Sequence, residues 1–181
     1  MGDLKEKVGR RLGEQHLMGM AAADGGRKGL SMADVQSVHI LFHAPTISSW
    51  KQLLEILRQL REVHGIPRVS GVAYTPMERA EVPTNWYTVR GIELHTAEDI
   101  GWRFEPSLLQ SKSKSVDVLL DLNLDDALPL LFEAKVAKAK FRVGPHREKE
   151  WVRYDFMLES CKDAQEFATA AFHYMNTLHL E

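Results

Sequence analysis

Three carboxylates, Asp121, Asp125 and Asp126, crowd into the short segment that follows the apolar run Val116-Asp117-Val118-Leu119-Leu120. Carboxylate oxygens suit hard cations such as magnesium, and neighbouring like charges raise a carboxyl pKa, so such a loop can bind a metal or exchange protons. Its spacing matches no metal motif, and the bland alternative is strong, because aspartates at 125 and 126 are well placed to cap a following helix. A second loop, His43-Ala44-Pro45-Thr46-Ile47-Ser48-Ser49, sets hydroxyls and backbone N–H groups at a helix start, where a phosphate can sit. It has none of the glycines of a dinucleotide or P-loop fingerprint, and serine and threonine at such a place are ordinary caps.

The remaining reactive side chains carry less. The eight histidines form no His-Glu-x-x-His pair. His39 and His43, four apart on an expected strand, share a face but lie about 13 Å from each other, too far to share one zinc. Cys161 is the only cysteine, so it forms no internal disulfide and no zinc site by itself. No metal and no cofactor is expected. The densest basic stretch holds Lys135, Lys138, Lys140, Arg142 and Arg147, followed by Trp151 and Tyr154, and Lys5, Lys7, Arg10 and Arg11 form a second near the amino terminus. Cations on an exposed helix face usually serve solvation; the functional reading is a docking surface for an acidic protein or an RNA backbone.

The elements that hold these residues follow from periodicity. Leu4, Val8 and Leu12, with Leu17 and Met18, mark an amino-terminal helix weakened by Gly9, Gly13 and Gly19. The stretch Asp24-Gly25-Gly26-Arg27-Lys28-Gly29 is a linker, so residues 1–30 read as a basic arm on a domain that occupies 35–181. Val38–His43 is a buried strand. Trp50, Leu53, Leu54, Leu57 and Leu60 follow at helical spacing between a Ser48 or Ser49 cap and Gly65, and Arg68–Tyr74 is the second strand. A third strand is expected within 86–95, a fourth at Val116–Leu120, a helix over 128–138 and a fifth strand at Lys140–Val143. A partly alternating strand over 152–158 precedes a last helix, capped by Asp163, with Phe167, Ala171, Tyr174 and Leu178 on one face. Alternating strands and helices predict an α/β, three-layer, Rossmann-like sandwich with a mainly parallel sheet, plus the helical arm.

Composition narrows the classes. With 44% apolar and 27% charged residues the chain suits a globular domain, and its net charge of −2 excludes a uniformly basic surface. There is no DNA-binding motif, no run of apolar residues that would span a membrane and no segment like a signal peptide, so a cytoplasmic location is expected.

Asp99-Ile100-Gly101-Trp102, Val116-Asp117-Val118-Leu119-Leu120, Ala137-Lys138-Ala139-Lys140-Phe141-Arg142-Val143-Gly144 and Tyr154-Asp155-Phe156-Met157 resemble a family of short bacterial α/β domains with no assigned function. The resemblance runs from about residue 35 to the end. It implies the fold and a basic helical arm, and it brings no catalytic residues. The Asp-Val-Leu-Leu-Asp-Leu and Ala-Lys-Phe-Arg-Val-Gly segments also resemble the amino-terminal domain of heptosyltransferase-like glycosyltransferases. Those enzymes hold the nucleotide sugar in a second Rossmann-like domain, for which the residues after Gly144 do not suffice.

Two functional expectations result. The leading one is a non-catalytic domain that binds a macromolecular partner, protein or ribonucleoprotein, through the arm and the basic surface. The alternative is an enzyme or sensor for a phosphorylated or nucleotide-sugar-like molecule at the sheet edge formed by His43, Thr46, Ser48, Asp121 and Asp125. Self-association through an apolar surface, giving a homo-oligomer, is a third option.

Overall fold

The computed structural model describes residues 2–21, 34–101, 104, 115–159 and 161–177. The linker glycines, Trp102 and Leu178 lie outside them. Helix α1 (Gly2–Gly19) precedes β1 (Ser37–His43), α2 (Ile47–Arg58), β2 (Arg68–Tyr74) and β3 (Ile92–His95). Then come β4 (Val116–Leu122), α3 (Leu128–Val136), β5 (Ala139–Pro145), β6 (Phe156–Leu158) and α4 (Ala164–Thr177). All six strands are parallel, in the order β3-β2-β1-β4-β5-β6. Strands are added outward in one direction from β1 to β3 and in the other from β4 to β6, so the carboxyl ends of β1 and β4 define the switch point where open α/β sheets offer a crevice.

Strand alternation divides the core. Val38, Ile40 and Phe42 face α2 and α4, and Leu41 and Leu119 face α3. On the first face the buried residues of α2 are Trp50, Leu53, Ile56 and Leu57, and Leu54 turns out toward solvent. Trp50 stacks on Trp86 at 4.4 Å, which fixes the 3₁₀ turn Thr84–Thr88 against this helix. That turn takes up the first half of the segment expected to be a strand. The helix start is closed by a capping box between Thr46 and Ser49, rather than by Ser48 or Ser49 as the cap, and the chain leaves a following π-turn through Gly65 at φ 65°. In α4 the buried row is Phe167, Ala171 and Met175; Tyr174 is 45% exposed.

The second face is organised by α3. Its sequence, LPLLFEAKV, has no polar side, and a helix that is apolar all round must be covered all round. Every residue from Leu128 to Lys135 is buried, including Glu133 and Lys135. One side of α3 lies over β1 and β2; α1 packs on α3 as an additional layer, with Leu17 in the shared core and His16 edge-on to Phe132. The row of α1 that turns inward is Gly9, Gly13 and Leu17, all buried. The expected apolar face points the other way, since Leu4 is 71%, Val8 47% and Leu12 36% exposed. The buried row thus carries two glycines, which take up little space at a seam although their helix propensity is low.

Burial, with the Glu93 charge adding to it, pushes the Glu133 carboxyl up from its ordinary 4.5 to about 7. The folded state therefore binds more protons than the unfolded state between about 4.5 and 7, and this group's contribution to stability falls as pH rises through that window. Glu133→Gln, neutral throughout, is expected to match the parent near pH 4.5 and to exceed it above pH 7, by at most about 3 kcal/mol. Urea denaturation at both ends of the range checks this, and an unchanged difference between the two proteins would contradict it.

Candidate functional site

The carboxyl ends of β1 and β4 bring part of the expected small-molecule edge together. His43 ends β1, and its Nδ1 lies 2.9 Å from an Asp125 carboxylate oxygen in the loop after β4. The imidazole also stacks on Tyr74, at the end of β2, with ring centroids 5.7 Å apart. This is a histidine–carboxylate pair with an aromatic wall, able in principle to hold or exchange a proton. Thr46 and Ser48 stand nearby in sequence at the start of α2, where the Thr46 hydroxyl is committed to the Ser49 backbone N–H and Ser48 is exposed.

Asp121 belongs to a different structure. It is completely buried and accepts hydrogen bonds from the Tyr154 hydroxyl, from the Asn123 backbone N–H at 2.9 Å and from Arg147 Nη2 at 3.2 Å. Arg147 also donates to Asp126 at 2.5 Å, to the Tyr154 oxygen at 2.6 Å and to the Asn123 carbonyl at 2.8 Å. Burial acts to lower the Arg147 pKa, but Asp121, Tyr154 and Asp126 outweigh it and hold the guanidinium charged. Burial and the Asp121 charge push the Tyr154 phenol well up, so it stays a neutral donor. With its oxygens engaged and no solvent access, Asp121 anchors the loops around it.

The same network corrects the expected helix cap. Asp126 adopts φ 53° and turns to Arg147, and Asn123 closes the loop instead, its side chain bonding both the N–H and the C=O of Ala127. No spacing in the sequence links 121, 147 and 154; the loop between β5 and β6 carries them together. Gly144 is the local signal, because a Cβ there would collide with the Tyr154 ring.

The expected basic surface separates into distinct fates. Lys135 is buried with its ammonium donating to the Trp151 carbonyl, contrary to an exposed lysine face on α3; the all-round burial of that helix is the cause. Arg142 is buried too, its guanidinium donating to the carbonyls of Ala134 and Ala137 at the carboxyl end of α3, where the helix dipole favours a cation. Arg147 is locked as described. These three are not available to an outside partner. Lys138 and Lys140 are exposed at the amino end of β5, and Lys140 pairs with Asp117 at 2.7 Å. Burial would raise the Asp117 carboxyl, yet Lys140, Ser37 and the Gln36 N–H bring it down to about 2.

On α1, Arg10 reaches Glu14 at 3.3 Å and the Asp126 carbonyl at 3.5 Å, and Glu14 also pairs with Lys149 at 3.1 Å. Lys5, Lys7 and Arg11 are exposed. Lys5 and Glu6 overhang a 320 Å³ cavity whose other walls are Tyr74, Ala97, Ile100, Gly101 and Phe104, beside the switch point. A 310 Å³ cavity holds His146, Glu159 and Cys161, where burial, with Glu166 and Asp163, pushes the thiol up. His39 stays neutral, its pKa lowered by burial to about 4, with Nδ1 2.9 Å from the Ser70 hydroxyl. Among the described residues no group of histidine, cysteine and carboxylate side chains is placed to hold a metal ion, and no helix is long and apolar enough to cross a membrane.

A family described as of unknown function, DUF6913, matches residues 22–178. The chain belongs to that family. The matched residues take in all six strands and leave α1 outside. No curated protein and no solved structure matches the chain, and the likeness to heptosyltransferase-like domains gains no support. Family membership thus agrees with the resemblance read from the sequence, and it assigns no chemistry to the network or to the His43–Asp125 pair.

Removing the guanidinium would leave Asp121 charged and buried without its partner. Arg147→Ala is expected to cost about 3–5 kcal/mol of stability, and Tyr154→Phe about 1–2 kcal/mol. Guanidinium denaturation measures both; a loss below about 1 kcal/mol for Arg147→Ala would show that the network is not an anchor.

Proposed function

We propose that the protein is a non-catalytic α/β domain that binds a macromolecular partner through α1. The observation that carries this reading is the orientation of the helix: Gly9 and Gly13 turn inward, and Leu4, Val8 and Leu12 turn outward beside Lys5, Lys7 and Arg11. An isolated exposed leucine is ordinary, but three large aliphatic residues at every fourth position form a continuous stripe that is exposed among the described residues. The acidic network points to the same division of labour, because its charges are consumed in holding the loop after β5. A single free thiol at Cys161 suits a reducing, cytoplasmic setting for such a module.

A second reading rests on the His43–Asp125 pair at the switch point and the cavity next to Tyr74, which together suit a small polar molecule. Thermal-shift screening with nucleotides and sugar phosphates discriminates it: stabilisation that disappears in His43→Ala favours this reading over the first.

Replacing the stripe by Leu4→Ser, Val8→Ser and Leu12→Ser is expected to leave stability within about 1 kcal/mol and to weaken partner binding at least about tenfold. The partner is the protein or ribonucleoprotein recovered with the full chain under native, low-salt conditions, identified and then titrated as a purified component. Binding at parental affinity by the triple variant would remove α1 from the interface.

A further inference from the structure

We propose that the cavity beneath the start of α1 binds a free amino acid with an apolar or aromatic side chain, held as its zwitterion. This rests on the second reading above, of a small-molecule site beside Tyr74, and names the ligand class. The cavity has a volume of 320 Å³, at the lower end of the range of about 300–1,000 Å³ usual for small-molecule sites. That size suits a molecule with one ring better than a nucleotide sugar. Its lining divides by chemistry: Tyr74, Ile100 and Phe104 are apolar, and Lys5 and Glu6 overhang them from consecutive exposed positions of α1. The Tyr74 ring is fixed by its stack on His43. Phe104 is held at φ 62°, a region that bulky residues seldom enter, with its N–H donating to the Gly101 carbonyl at 2.8 Å. Both aromatic walls are therefore in place before a ligand arrives, which lowers the cost of ordering them on binding.

The charged groups select the ligand. Among the described residues that line the cavity, Lys5 is the one cation and Glu6 the one carboxylate, and neither forms an ion pair with another described residue. Glu6 is near enough to act on the wall: its charge adds to burial in raising the Tyr74 phenol, which stays a neutral hydrogen-bond donor. An amino acid offers the matching set, with an ammonium for Glu6 and a carboxylate for Lys5 on one carbon, and a side chain that covers the apolar lining. Other ligands leave a group unanswered. A phosphate ester would use Lys5 and meet repulsion from Glu6. A simple carboxylic acid leaves Glu6 without a partner, and a simple amine leaves Lys5 without one. A neutral aromatic molecule would fill the lining and pair neither charge.

Isothermal titration calorimetry on the full chain tests this with L-phenylalanine, with phenethylamine, which lacks the carboxylate, and with phenylpropionate, which lacks the ammonium. Saturable binding of L-phenylalanine is expected, and each analogue should bind at least about tenfold more weakly. The decisive result is a crossed pattern in variants at the two exposed positions. In Lys5→Ala the preference for L-phenylalanine over phenethylamine should vanish while the preference over phenylpropionate remains, and Glu6→Gln should do the reverse. Circular dichroism and the denaturation midpoint establish that each variant is folded. No binding of L-phenylalanine, analogues that bind as tightly as it does, or preferences that ignore the two substitutions overturn the inference. If L-phenylalanine fails while nucleotides or sugar phosphates stabilise the parent and not His43→Ala, the small-molecule reading stands and only the amino acid is refuted. If neither series binds, that reading falls as well.

Discussion

A helix without a polar side governs this structure. Because α3 is apolar around its whole circumference, the sheet can cover only part of it, and the rest must be covered by something else. The chain meets this need with α1 and with the loop that carries Trp151 and Val152, so the second face of the sheet is deeper than a simple three-layer sandwich provides. Desolvation of Glu133, the burial of Lys135 and the use of Arg142 to satisfy the last carbonyls of α3 are consequences of the same enclosure.

Enclosure also decides what α1 presents to the outside. Gly9 and Gly13 are buried in the inward row of α1 and need little room there, and Leu17 supplies the large side chain of that row. Leu4, Val8 and Leu12 are then surplus to the core and lie on the surface. The interaction reading of the protein therefore stems from the demand of a neighbouring helix, and the family match, which begins after α1, is consistent with a shared domain to which this helix adds a further surface.

At the opposite extreme of polarity, the buried Arg147 ties β4, the start of α3 and the loop after β5 into one unit. Such a cluster is stable because the buried guanidinium is paired and both oxygens of Asp121 have donors. It occupies the place where an α/β sheet usually offers its ligand crevice, so Asp121 is enclosed there and the His43–Asp125 pair lies nearer the surface. A carboxylate-rich loop is thus divided by depth: Asp121 holds the fold, and Asp125, 68% exposed, remains accessible.

Local pattern was enough for the alternation of strands and helices, for the parallel sheet and for the Asp163 cap of α4, since each depends on spacing within a few residues. It also located the two loops that meet at the switch point. It misplaced whatever depends on a partner distant in the chain. Lys135 looked like a surface lysine because nothing near it in sequence reveals Trp151 above it, and Arg147 looked free because its carboxylates lie more than twenty residues earlier. For α1 the sequence offered two rows at the same spacing, Leu4-Val8-Leu12 and Gly9-Gly13-Leu17, and transfer free energy alone favours burying the first. The sequence by itself determined that a helix forms there and which side chains share a face. Only the tertiary structure decided which face turns inward, because the packing of α1 on α3 is a property of two helices together and is written in neither one.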